Sequence, residues 1–110
     1  MKGSVPYWAT LSACLLLFPA LAHADDYLIT LKNHQFAPKE LIVPAGKRIK
    51  VTVKNQDPTP AEFESSDLDR EKVVTGNSAI TVFIGPLDAG RYAYFDDFHR
   101  NTTTGAIVAK

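Results

Sequence analysis

The chain reads as an all-β protein, a Greek-key sandwich of six to eight short strands. Three observations predict it. Apolar and polar residues alternate in short runs, the two-residue period of a half-buried strand. Clusters of Pro, Gly, Asn and Asp separate the runs at intervals of about ten residues. Between residues 25 and 110 no stretch keeps a helical apolar period for several turns.

Residues 1–24 stand apart from this pattern. Lys2 is a short basic start, "ATLSACLLLFPALA" an apolar run, and Ala22-His23-Ala24 the small-x-small pattern that a signal peptidase accepts. The expectation is an export signal cleaved after Ala24, a periplasmic location, and one domain over residues 25–110. Val5 to Ala24 is long enough for an uncleaved anchor, but Pro19 and the cleavage pattern oppose it. "LSAC" at Leu11–Cys14 has the letters of a lipoprotein signal, yet the apolar core lies after Cys14.

The strands follow in order. "YLITLK" puts Tyr27, Ile29 and Leu31 on one face. "ELIVPAG" is a short apolar strand ending in a turn. In "RIKVTVKN", Ile49, Val51 and Val53 face one way and Lys50, Thr52 and Lys54 the other. "NQDPTP" is a polar, Pro-rich loop. "SSDLDREKV" has room for one helical turn after a Ser cap. "SAITVFIG" and "RYAYF" are strands joined by "PLDAG", and "GAIVAK" closes the chain.

Without its first 24 residues the chain has 86, enough for one core. Met1, Cys14 and His23 all lie in the removed segment, so residues 25–110 hold neither Cys nor Met and only two His, His34 and His99. No disulfide is available to this domain, and it must fold on packing alone or with a metal. Lys2 is the one charged residue among the first 24, so 11 basic residues face 12 acidic ones, a net charge of −1. That balance offers no footprint for nucleic acid or an anionic membrane. Residues 25–110 carry no Ser-His-Asp set in plausible context, no Gly-rich phosphate loop and no C-x-x-C.

Two acidic clusters could carry chemistry. In "AEFES", Glu62 and Glu64 are two apart and share one face of an extended chain, with Phe63 on the other. Paired carboxylates repel, and a cation would remove that cost; a solvated edge strand is the plain alternative. In "FDDFH", Asp96, Asp97 and His99 follow an aromatic strand, at the strand end where functional loops sit. Asp96 and His99 converge only if the chain turns there. Carboxylate with imidazole suits iron, copper or zinc; a simple hydrogen bond stabilising the turn is the alternative. His34, in "KNHQFAP", reads as a loop histidine.

The order of motifs resembles the cupredoxin family. The residues that carry the likeness are "VPAGKRIKVTVKNQDPTPAEFE" and "GPLDAGRYAYFDDFHRNTTTGAIVA". In that family a turn leads into a strand ending in Lys-Asn, and the following loop supplies the first ligand. Later a Gly-x-Tyr-x-Tyr strand runs into the ligand loop. On this resemblance the copper thiolate position falls on Asp96, the second His on His99, the axial Met near Thr104, and the first His around Ala61 or Glu62. A blue copper centre needs the thiolate, so that reading is excluded.

The nearer resemblance is to the cupredoxin module of EfeO-type periplasmic iron-uptake proteins and to the small cupredoxins that accompany Ftr-type iron permeases. Glu62-Phe63-Glu64, the "REKVV" strand and the "FDDFH" loop carry it. It implies a periplasmic protein binding iron, copper or both, with Glu62, Glu64, Asp96 and His99 as ligands and Asp97 as a further ligand or support. It also implies an inner-membrane iron permease and a companion periplasmic protein as partners, and leaves open a ferroxidase-like turnover. Hard Fe(III) prefers the oxygen ligands that the three acidic positions offer. The alternatives are a periplasmic copper-handling protein, with His99 and with it His34 as candidate ligands, and a metal-free interaction module.

Overall fold

Alternation builds the strands, and two sheets share the apolar faces. The computed structural model describes residues 25–110; the expected signal over residues 1–24 lies outside the described residues. Nine strands are described: β1 (Asp25–Lys32), β2 (Gln35–Ala37), β3 (Glu40–Val43), β4 (Ile49–Asn55), β5 (Ala61–Ser65), β6 (Arg70–Val74), β7 (Ser78–Ile84), β8 (Gly90–Asp96) and β9 (Thr104–Ala109). A single 3-10 turn, Asp97–His99, lies between β8 and β9.

One sheet has the order β2-β1-β4-β7 and the other β3-β9-β8-β5-β6. β1 runs parallel to β4 and β3 parallel to β9, while the remaining pairs are antiparallel. This confirms the all-β sandwich, with mixed sheets. Ile29, Leu31, Ile49, Val51, Val53, Val82 and Ile84 face inward from the first sheet, and Leu41, Val43, Phe63, Val74, Tyr94 and Ile107 from the second. Phe63 and Tyr94 are each 1% exposed, and burying such a ring stabilises by roughly 2–3 kcal/mol. Tyr94 also meets Phe36 edge-on, with centroids 5.0 Å apart.

Two elements differ from the sequence expectation. β2 is three residues long, too short for alternation to show. It pairs back on β1 through a tight turn in which Asn33 and His34 take φ +51° and +57°, the two left-handed residues of a type I′ hairpin. In the "SSDLDREKV" segment the Ser cap is present, because the Ser65 hydroxyl accepts from the Leu68 N–H at 3.0 Å. No helix follows. Asp69 turns to φ +55° and the chain reverses into β6.

The loop after β4 is pinned from inside. Asn55, 1% exposed, donates to the carbonyls of Thr59 (2.8 Å) and Val74 (3.2 Å) and accepts from the Asp57 N–H (3.0 Å). Gly76 lets the loop close, since a Cβ there would stand 2.1 Å from the Pro58 carbonyl oxygen. Asp57 is thereby fixed beside the β1–β2 turn.

Candidate metal centre

β8 ends where its pairing with β5 ends. That pairing comprises only Phe63↔Asp96 and Glu64↔Phe95. Beyond it the backbone turns away, and the Asp96 side chain takes over as acceptor. Its Oδ1 receives the Glu62 N–H at 2.9 Å and the Phe98 N–H at 3.0 Å, capping the 3-10 turn. Capping by an Asp carboxylate is the usual way to satisfy such orphan donors. The turn swings His99 back over the cap, so that its Nδ1 lies 3.1 Å from Asp96 Oδ2. Asp96 is 1% exposed.

The β1–β2 turn comes to the same place. The Asp57 carboxylate receives the N–H groups of Asn33 (2.6 Å) and His34 (2.9 Å). The Thr103 hydroxyl donates to the His34 carbonyl at 2.8 Å, tying this turn to the segment before β9. The His34 ring then lies against His99, with centroids 4.2 Å apart and planes tilted by 37°. One potential ligand atom each from His34, Asp96 and His99 falls within 4.8 Å of the others. Ligands around an ion with bonds of about 2 Å stand roughly 3–4 Å apart, so a small closure would suffice.

Burial works to raise the Asp57 carboxyl, but the N–H groups of His34 and Asn33, together with the nearby His34 and His99 rings, outweigh it and hold it below the ordinary carboxylate value. The His34 Nδ1 is 3.9 Å from Asp57 Oδ2.

Glu62, Glu64 and Asp97 form a separate group. Glu62 and Glu64 lie on the outward face of β5, Asp97 comes to them from the 3-10 turn after β8, and one oxygen of each lies within 4.8 Å of the others. Burial, then the charge of Glu71, then hydrogen bonding to Asp97 with its charge, and last hydrogen bonding to Glu64, push the Glu62 carboxyl above its ordinary value. Arg100 already occupies the edge of this group, donating to Asp97 at 2.6 and 3.1 Å and approaching Glu64 at 3.6 Å.

The five expected ligands are therefore divided between two clusters: Asp96 and His99 in one, and Glu62, Glu64 and Asp97 in the other. Asp96 meets the backbone of Glu62, not its side chain. Ala61, one of the two positions expected for a first histidine ligand, is an alanine buried in the core. His34 is a loop histidine as expected, but its ring belongs to the Asp96–His99 cluster. A signal for it existed in Asn33-His34, a turn pair between two strands with a bulky residue where glycine is usual. No local pattern indicated where that ring would point.

The comparisons with known proteins agree with this architecture. The model of the cupredoxin-like domain family matches residues 5–109. An uncharacterized protein of Rickettsia prowazekii is 42% identical over 80 residues, which span 73% of this chain and 64% of that protein. Auracyanin A, a "blue" copper protein of Chloroflexus aurantiacus, superposes with a TM-score of 0.68 at 16% identity, covering 80% of this chain and all of that one. A purple cupredoxin of Nitrosopumilus maritimus gives 0.61 at 20% identity, covering 78% of this chain and 100% of that one. The metal-binding domain of the Streptococcus pneumoniae Cu(I)-exporting ATPase CopA gives 0.65 at 12%, with coverages of 77% and 84%. At these identities the structural likeness concerns the fold.

Proposed function

The chain belongs to the cupredoxin-like domain family, and from that premise we propose that it is a periplasmic metal-binding protein that serves metal uptake as an accessory. The observation that carries the reading is the Asp96 carboxylate, buried at the end of β8 with one oxygen tied to two N–H groups and the other directed at His99. A buried carboxylate beside imidazoles suits a borderline divalent ion. Residues 25–110 contain no thiolate or thioether, so the donors fit Cu(II) or iron and do not fit a blue copper centre or Cu(I) traffic. A bound ion of this kind would supply one-electron redox chemistry.

Two further considerations support a role in iron uptake. Glu62, Glu64 and Asp97 form an all-oxygen group, which suits hard Fe(III). The sequence of the same strand and loop resembles modules of iron-uptake systems, with an inner-membrane permease and a companion periplasmic protein as partners. Copper handling is the second reading, and the structural neighbours described as copper proteins favour it.

Calorimetric titration with Cu(II), with Fe(II) under anaerobic conditions and with chelated Fe(III) tests the proposal. Tight binding of at least one ion is expected, weakened tenfold or more, about 1.4 kcal/mol, by Asp96→Asn. No binding of any of the three would leave a metal-free module and end the metal-site reading.

A further inference from the structure

We infer that His34 is a metal ligand, and that His34, Asp96 and His99 together form a site for a borderline divalent cation, Cu(II) foremost, distinct from the carboxylate group of Glu62, Glu64 and Asp97. The inference rests on the reading that the Asp96 loop binds metal, and it adds both a ligand and an ion preference.

Four observations carry it. First, His34 sits at φ +57°, a left-handed conformation that few residues other than glycine adopt, histidine more readily than most. Strain of this kind persists where the surroundings over-determine it. Second, the surroundings do so from two directions. Asp57, 6% exposed, holds both N–H groups of the turn, and Thr103 holds the His34 carbonyl. The effect of this framework is to set the ring against His99 at 4.2 Å. Third, the buried Asp96 has one oxygen consumed by the Glu62 and Phe98 N–H groups. Oδ2 is left as a single acceptor whose partner is His99, so the carboxylate would bind an ion through one oxygen. Fourth, the ligand atoms of the three side chains already lie within 4.8 Å of one another.

The donor set decides the ion. Two imidazoles and one carboxylate oxygen suit Cu(II), Zn(II) or Fe(II), whereas Fe(III) prefers oxygen throughout. Cu(II) heads the divalent series in affinity. The carboxylate group lacks nitrogen and is partly neutralised by Arg100. The two clusters therefore differ in hardness, and an ion that favours nitrogen partitions to the histidine side.

Electron paramagnetic resonance of the chain loaded with one equivalent of Cu(II) tests this, because nitrogen couplings count bound imidazoles. His23→Ala serves as the background, leaving His34 and His99 as the two histidines. Two imidazole nitrogens are expected. His34→Gly should leave one and weaken Cu(II) binding at least tenfold. Glycine accepts the positive φ, so the turn and the fold are retained, which thermal unfolding verifies. Glu62→Gln with Glu64→Gln should leave both couplings in place. Unchanged couplings and affinity in His34→Gly would overturn the inference, while a continued effect of Asp96→Asn would keep the loop as a metal site. Loss of the signal in the Gln pair would move the ion to the carboxylates and overturn it as well. Failure of the unmutated His34 chain to hold Cu(II) would overturn this inference together with the copper form of the reading beneath it.

Discussion

Asp57 is the residue on which the position of His34 depends, and replacing it separates turn stability from metal chemistry. Its carboxylate receives two backbone N–H groups at 2.6 and 2.9 Å and supports two consecutive left-handed residues. Hydrogen bonds to a charged partner contribute about 1.5–3 kcal/mol each. The lower figure applies here, since the turn is half-exposed and water can replace part of what is lost. Asp57→Ala is therefore expected to cost about 3 kcal/mol, a large share of the stability of a small domain. At about 4–8 °C per kcal/mol for a domain of this size, the midpoint should fall by roughly 12 °C or more. Asp57→Asn, which keeps one oxygen without the charge, should cost about half as much. Calorimetry or circular dichroism on the metal-free protein reads this directly.

The pH dependence gives a second reading of the same group. Asp57 is held below its ordinary value in the folded state. Its contribution is therefore complete above the unfolded carboxylate value and is lost as pH falls through the lower, folded one. The gap in stability between the wild type and Asp57→Asn should close over that acidic window. A midpoint that falls by less than about 4 °C in Asp57→Ala, below the shift of one kcal/mol, would show that the turn holds without its carboxylate, and the account of His34 placement would fail.

Other consequences can be measured with the same instruments. Among the described residues the buried Tyr94 hydroxyl has no hydrogen-bond partner, so Tyr94→Phe should leave stability unchanged or raise it by about 1 kcal/mol; a loss of that size would reveal a partner for the phenol. Glu62 is pushed up by burial and by neighbouring acids, so its charged form weighs against the fold. Glu62→Gln should raise the unfolding midpoint of the metal-free protein at neutral pH. That gain should shrink as pH falls through the raised folded value, where Glu62 itself becomes neutral. A midpoint lowered at neutral pH would place Glu62 in a stabilising contact.

Much of the fold was legible because it depends on neighbours along the chain. Ile49, Val51 and Val53 face inward as their alternation with Lys50, Thr52 and Lys54 predicts. Glu62 and Glu64 share the outer face of β5 around buried Phe63. The sequence made convergence of Asp96 and His99 depend on a turn, and the structure supplies one in the form of a capped 3-10 turn. β6 was harder, because four of its five residues are exposed at a sheet edge and carry no burial pattern.

The partition of the candidate ligands was not legible. Asp96 and Asp97 are adjacent in sequence, yet β8 ends between them. The side chain of the first turns into the cap beside His99, and that of the second joins Glu62, Glu64 and Arg100. Hydrophobic alternation and turn residues were enough to specify an all-β chain with acidic groups and a histidine at a strand end, since these are properties of short segments. Which groups share a site was decided by the packing of the two sheets. Packing brings the β1–β2 turn, the Asn55–Asp57 loop and the end of β8 together, and contacts between such distant segments leave no trace in the spacing of residues along the chain.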